Sequence, residues 1–450
     1  MRAAMFEFGR ELGRIFRNQG RIEPDQSLYE LMNLKLLITQ GRALDIEGGR
    51  VSTKDRFAPY LEAAQIWREY ARRTGDPVAV RRAAAAAENA GKEAKSVNEA
   101  ASAVLEQAQT CILSVDLFES YELLSVTEDL LAGGRAAISN DEPLRARFNR
   151  VESQLASRLA TQNGMGDDLE LALLAMSHID RAIERADVRV QQTHAAADKI
   201  EAALARFERA DLLMKVGMDR CDSSLMNAVI KDFQALQARL DPAYEPVTFA
   251  RVRLRLAQAH LFKGEIEGRP EIISEGVALL SQDDASVDYE HSPLDWVVHQ
   301  QTLAMGLQAL AELTLSEEVY EKAMLVYDIA MKRPLQHSLS LRSQIANNRA
   351  GCLAKHAELK GDMTSLDVAE AAFKAELRRV KPNEDPVGWA ILQTNLARLY
   401  VARGDITGFM IERAEAAYAL EAALEIFTER GLKVLVGAAQ MQLDRVKDKD

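Results

Sequence analysis

Apolar residues return along most of this chain in three- and four-residue steps, the spacing of one face of an α-helix. LARLYVARGD (Leu396 to Asp405) shows the pattern, and LAKHAELKGD (from Leu353) and LAQAHLFKGE (from Leu256) repeat it. No sustained run alternates apolar with polar residues in the period of a β-strand. The pattern predicts an all-α protein, and plentiful Ala, Leu, Glu, Arg and Gln, all good helix formers, agree.

The recurrence has a scale. A fourth copy starts at Leu303, and weaker ones start at Arg209 and Leu155. Anchors 43 to 54 residues apart are the mark of an array of supersecondary units. Each anchor is followed by a second helix with a small residue, then a large apolar one four positions on, and often another small one. These are Ala175, Ile179 and Ala182; Val229, Phe233 and Leu236; Gly276 and Leu280; Ala323, Tyr327 and Ala330; Ala369 and Phe373; and Ala416, Leu420 and Ala423. The second motif starts 20 residues after the anchor in five copies and 16 after Leu353. A single helix pair cannot bury its apolar face, so the pairs must stack.

Before residue 143 the pattern is weaker. It predicts helices over Leu28–Gly41 and Ala58–Thr74, with the polar stretch IEGGRVSTKD as a loop between them. That stretch has the residue types of a phosphate loop but not their order, and no strand precedes it. A helix is predicted to start at Asp76-Pro77, since proline is tolerated in a first turn. Helices are predicted to resume through Leu117–Leu131, with Gly133-Gly134 as their break. The first 27 residues carry Met1, Met5, Phe8, Leu12, Ile15 and Phe16 on one helical face, among Arg2, Arg10, Arg14, Arg17 and Arg21. Three readings of this basic amphipathic helix stay open: a cap on the next helix pair, a partner-docking helix, or a membrane-surface helix. Residues 28–142 then form an N-terminal helical region, 143–432 the repeat array, and 433–450 a capping helix with a charged tail.

The array resembles the tetratricopeptide repeat (TPR) family, whose pattern is W-x2-L-G-x2-Y, then G, then A-x3-F-x2-A, then P. Leu396, Ala397, Tyr400 and Gly404 match its first-helix positions. Ala323, Tyr327 and Ala330 match the second, and Pro242, Pro334 and Pro382 close repeats. The resemblance implies a TPR-like α-solenoid, a right-handed superhelix of antiparallel helix pairs. The longer period is read as a loop between paired helices about seven residues longer than in the family. Gly404 is read as the left-handed cap that ends its helix, and Asp405 as a loop residue.

The resemblance also implies a function: a non-catalytic scaffold or adaptor that holds a peptide or helix of another protein on its concave first-helix surface. The groove positions it nominates are Arg150, Ser153, Phe207, Asp211, Lys215, Arg251, Gln258, Gln301, Met305, Asn348, Lys355, Thr394 and Arg398. The lysine of the family's carboxylate grip is missing: its position holds Ser153, Phe207, Leu254, Gln301, Gly351 and Thr394.

Composition narrows the alternatives. A net charge of −12 argues against broad nucleic-acid binding, which needs Lys and Arg to displace counterions. Three distant cysteines, without CxxC, predict free thiols and a cytoplasmic location. No apolar run reaches the length of a membrane span, and no secretory leader is expected. No HExxH, GxSxG or phosphate cradle points to a catalytic residue, a metal or a cofactor. DYEHSPLDWVVHQ gathers Asp288, Glu290, His291, Asp295 and His299, which reads as a solvated acidic linker with a helix starting at Pro293. Two other classes stay open: a ligand-sensing or enzymatic helical protein with a pocket inside the superhelix, and a membrane-peripheral scaffold using residues 1–21. Nothing in the pattern sets an oligomeric state.

Overall fold

The computed structural model describes residues 26–138, 142–162, 169–193, 196–243, 245–282, 288–333, 337–383, 385–430 and 432–447. The basic segment predicted over residues 1–27 therefore lies almost wholly outside the described residues. All regular structure among them is helical.

The chain begins with a short α1 (Gln26–Leu31), then α2 (Leu34–Gly49), α3 (Phe57–Thr74), α4 (Pro77–Glu93), α5 (Val97–Phe118) and α6 (Leu123–Ala137). It continues with α7 (Glu142–Gln162), α8 (Leu169–Thr193), α9 (Ala196–Asp219), α10 (Ser223–Gln237), α11 (Pro246–Glu267) and α12 (Pro270–Leu280). The last seven are α13 (Pro293–Thr314), α14 (Glu317–Lys332), α15 (Leu339–Lys360), α16 (Met363–Leu377), α17 (Pro386–Thr407), α18 (Met410–Glu429) and α19 (Lys433–Lys447).

From α2 onward each helix packs on its chain neighbours. The odd-numbered helices from α3 to α17 also touch one another in succession, and the even-numbered ones make no comparable series. The odd helices thus form an inner layer and the even helices an outer one. This is a TPR-like α-solenoid of stacked antiparallel pairs. The stack extends without interruption through the weakly patterned region, α3 to α6 included.

Local sequence sets the helix ends. Asp76 caps α4 through its side chain, with Pro77 in the first turn. Ser96 and Glu99 form a reciprocal capping box at α5. Asp222, Asp362 and Asp385 cap α10, α16 and α17. Every residue of the second-helix signature is buried. Gly276 shows why that position is small: a Cβ there would lie 2.9 Å from the Ala257 carbonyl oxygen, so α12 rests on the backbone of α11.

Several expectations are corrected. Residues 28–41 belong to two helices, because Asn33 caps a new one. That helix runs through Ile46–Gly49, which shortens the expected loop. The helices expected through Leu117–Leu131 are the end of α5 and the first part of α6. Gly133 and Gly134 lie inside α6, and a Cβ on Gly134 would come within 2.7 Å of the Phe148 ring. That glycine serves a close approach and does not end a helix.

The longer repeat period has a different cause from the one expected. The loops within the pairs α11–α12, α13–α14, α15–α16 and α17–α18 are short, and the extra residues extend the first helix, 22 residues in each pair. Those helices end eleven residues past Leu256, Leu303 and Leu396 but seven past Leu353. One missing turn accounts for the shorter motif spacing after Leu353. Accordingly Gly404 and Asp405 are helical, and the cap is Gly408, at φ 72°. Gly268 and Gly361 cap α11 and α15 in the same left-handed conformation.

The superhelix closes on itself. α1 lies against α11, and α3 against α13. At this seam a Glu30 carboxylate oxygen accepts from the backbone N–H groups of Val247, at 3.0 Å, and Thr248, at 2.9 Å. The fully buried Arg73 donates to the Met32 and Tyr29 carbonyl oxygens and to Glu69. The His291 Nε2–H donates to the Glu30 carbonyl at 2.6 Å. Asp288 and Glu290 are exposed as expected, but His291 and Asp295 belong to this seam and His299 is buried. The expected solvated linker is therefore only partly so.

Candidate functional site

The inner layer has two contrasting halves. From α3 to α11 it is crossed by intrachain ion pairs. Arg68 of α3 and Arg147 of α7 converge on the buried Glu106 of α5, at 3.0 and 3.2 Å. Arg150 of α7 pairs with Glu201 of α9 at 2.5 Å. Arg158 joins Asp116 of α5, at 3.0 Å, to Glu208 of α9. Arg255 of α11 and Lys215 meet the buried Asp211 of α9 at 2.9 and 3.1 Å. Burial alone would raise the Asp211 pKa; these cations and Arg158 hold it down to about 2. Arg251 of α11 closes the series on Asp295 of α13 at 2.6 Å.

From α13 to α17 the inner layer opens into a cavity of about 390 Å³. α11 contributes Glu265; α13 Met305, Gln308 and Glu312; α15 Asn347, Asn348, Gly351, Lys355 and Glu358; and α17 Asn395 and Arg398. The Asn395 amide donates to the Asn347 side-chain oxygen at 2.8 Å, a bridge between successive inner helices. Gln308 donates to Glu312 and accepts from the Tyr327 hydroxyl, so that amide is held in one orientation. Lys355 lies 3.7 Å from Glu358 in its own helix. With the Gln442 side-chain oxygen turned toward α17, Arg398 donates to it at 2.9 and 3.1 Å.

Negative charge dominates this cavity. Among the described residues no Lys or Arg forms an ion pair with Glu265 or Glu312. Burial, and then Glu312, push the Glu265 carboxyl upward. Burial also raises Glu358, with Lys355 opposing and Glu312 adding to the rise. The same two causes, burial first, push the Cys352 thiol up to about 12, so it is an inert packed thiol. The floor includes bare backbone: at Gly351, mid-helix in α15, a Cβ would meet nothing within 4 Å.

Of the residues nominated from the sequence, four come together in this cavity: Met305, Asn348, Lys355 and Arg398. The others lie apart from it. Arg150, Asp211, Lys215 and Arg251 are members of the ion-pair series. Ser153 is buried and donates to the Asn149 carbonyl. Phe207 packs edge-on to Phe233 at 5.8 Å. Gln258 donates to Thr302, Thr394 donates to the Ala390 carbonyl, and Gln301 is half-buried on α13.

Sequence reasoning missed Glu265, Gln308, Glu312, Asn347, Gly351, Glu358 and Asn395. A signal existed for two of them. Glu265 and Glu312 both stand nine residues after their anchors, as the acidic end of the repeated phrase. With the helices two turns longer than the family pattern, that position is on the inner face. Where α15 ends one turn sooner after its anchor, the corresponding Asp362 caps α16 instead.

No protein-family model matches the chain, and no curated protein matches it. Among solved structures it is similar to a Rap protein complexed with competence and sporulation factor. That match is 12% identical, covers 87% of this chain and 98% of that one, and has a TM-score of 0.39. It is also similar to a circular tandem repeat protein with a novel repeat topology: 13% identical, 93% and 97% covered, TM-score 0.25. The helix pairs of this chain themselves define its class, a TPR-like helical repeat protein.

Proposed function

We propose that this protein is a non-catalytic interaction scaffold that holds an extended peptide segment of a partner in the groove of α13, α15 and α17. One observation supports the reading: the inner layer is crossed by ion pairs between successive helices from α3 to α11, whereas from α13 to α17 it holds an amide-lined cavity with bare backbone at Gly351 and with Glu265 and Glu312 joined to no Lys or Arg among the described residues. A groove already filled by its own charge pairs offers a partner little, since breaking a buried pair strands a charge. The open half offers amides suited to main-chain N–H and C=O groups, and at Gly351 a place where a peptide backbone can approach α15 closely. Glu265 and Glu312 favour a lysine or arginine on that peptide. No helix among the described residues is long and apolar enough to cross a membrane. Free cysteines fit a reducing compartment such as the cytoplasm.

The test is selection of a random dodecapeptide phage library on the full-length chain, followed by titration calorimetry with the selected synthetic peptides. Enriched peptides carrying a basic residue should bind, and Asn347→Ala, Asn395→Ala and Glu312→Gln should each weaken them several-fold. Peptides that bind these variants as well as the parent chain would place recognition elsewhere and overturn the reading.

A further inference from the structure

Resting on the groove reading above, we propose that the basic segment Met1–Arg21 occupies the acidic groove in cis and competes with the partner peptide. Three observations support it. The first is charge: the segment holds Arg2, Arg10, Arg14, Arg17 and Arg21 against Glu7 and Glu11, on a chain of net charge −12. The groove holds Glu265, Glu312 and Glu358 against Lys355 and Arg398, with Lys355 near Glu358 and Arg398 held by Gln442. Opposite charges in excess on the two surfaces favour their encounter and oppose like-charged occupants.

The second is the place where the segment joins the fold. Glu30 of α1 sits on the first N–H groups of α11, and His291, just before α13, meets the Glu30 carbonyl. Glu30 thus anchors α1, just after the segment in sequence, at the starts of two helices whose far halves line the groove. From Asp295 the groove side chain Glu312 is about 25 Å further along α13. The third is reach: the residues preceding Gln26 extend to about 80 Å when stretched, and still span about 35 Å as a helix. A segment so tethered is present at an effective concentration of roughly a millimolar. At that concentration, an intrinsic Kd of about 0.1 mM for the segment would lower the apparent affinity of any competing peptide roughly tenfold.

The apolar residues of the segment fit the same placement. Met1, Met5, Phe8, Leu12, Ile15 and Phe16 fall on one helical face in the sequence pattern, and Met305 stands 42% exposed in the groove. Phe8 and Phe16 are the side chains on which contact can be read.

Two experiments on the full-length chain decide the matter. A photo-reactive benzophenone side chain placed at position 8 or 16 should, on irradiation, give an adduct within one chain to the stretches 305–312 or 347–358. Adducts to other faces, adducts only between two chains, or none would overturn the proposal. Charge reversal of Arg10, Arg14 and Arg17 to Glu should raise the affinity of a library-selected basic peptide roughly tenfold. It should leave the thermal midpoint nearly unchanged, because no helix contact among the described residues involves these three arginines. If the peptide binds parent and reversed chains alike, groove binding stands and only occupancy in cis fails. If no selected peptide depends on the groove residues in either chain, the groove reading itself fails. Flotation with phosphatidylserine-containing vesicles, lost on the same reversal and accompanied by no groove adduct, would assign the segment to a membrane surface instead.

Discussion

Glu30 caps a helix that starts more than two hundred residues away: one of its carboxylate oxygens accepts from the Thr248 N–H at 2.9 Å, and the other from the Thr248 hydroxyl. The first turn of any helix leaves N–H groups without partners, and a carboxylate there satisfies them and meets the positive end of the dipole. Burial raises the Glu30 pKa, and the Thr248 contacts and Arg72 oppose that rise. Glu30→Ala should cost about 1–2 kcal/mol of stability. Hydrogen exchange should speed up first in α1 and at the start of α11, before the repeats that follow. Uniform acceleration along the chain would mean that the seam is not a separate cooperative contact.

Gly408 and Gly404 offer a direct contest between two readings of one phrase. Gly408 lies at φ 72°, a conformation that costs an L-residue roughly 1 kcal/mol or more. Gly404 is helical, and a Cβ there would make ordinary contacts of 3.5 Å with Arg413 and Glu412. Gly408→Ala should lower the thermal midpoint, and Gly404→Ala should leave it unchanged or raise it. The opposite ranking would restore Gly404 as the cap.

At Gly351 stability and binding should part. A mid-helix glycine costs about 0.5–1 kcal/mol relative to alanine, and nothing packs within 4 Å of where the Gly351 Cβ would be. Gly351→Ala should raise the thermal midpoint and weaken groove peptides several-fold by holding their backbone off α15. Unaltered peptide affinity in a stabilised variant would remove Gly351 from the groove floor.

His299 predicts an acid sensitivity. Burial, reinforced by Arg253, lowers its pKa to about 4, so it is neutral in the folded chain. The unfolded chain binds a proton near the ordinary value of about 6.5. Stability from the neutral residue is therefore complete above that value, falls as pH drops from about 6.5 to about 4, and levels off below. The loss amounts to on the order of 2–3 kcal/mol. Thermal midpoints measured at pH 7.5, 6 and 4.5 should show it, and His299→Gln should flatten the decline. An equally steep decline in that variant would trace the sensitivity to other groups.

The sequence by itself determined the class of the fold. Ala323, Tyr327 and Ala330, like Ala416, Leu420 and Ala423, declare a helix that packs closely on its neighbour. A pattern of small and large residues is local, and local patterns are legible. Asp76-Pro77 likewise states its helix start outright. Met305, Asn348, Lys355 and Arg398, which line the cavity, stand at positions that the repeat register and the TPR resemblance nominated together.

Tertiary structure decided the rest. Whether a glycine caps a helix depends on how far the helix runs, and packing of the long inner helices moved that point from Gly404 to Gly408. Whether an inner-face charge is available depends on the next helix: Arg150 and Arg251 match the repeat register as well as Lys355 does, but Glu201 and Asp295 neutralise them. Pairing across a groove joins residues about 45 to 50 positions apart, and closure at Glu30 joins residues more than two hundred apart. No window along the chain contains both partners, so only the folded superhelix distinguishes its closed half from its open one.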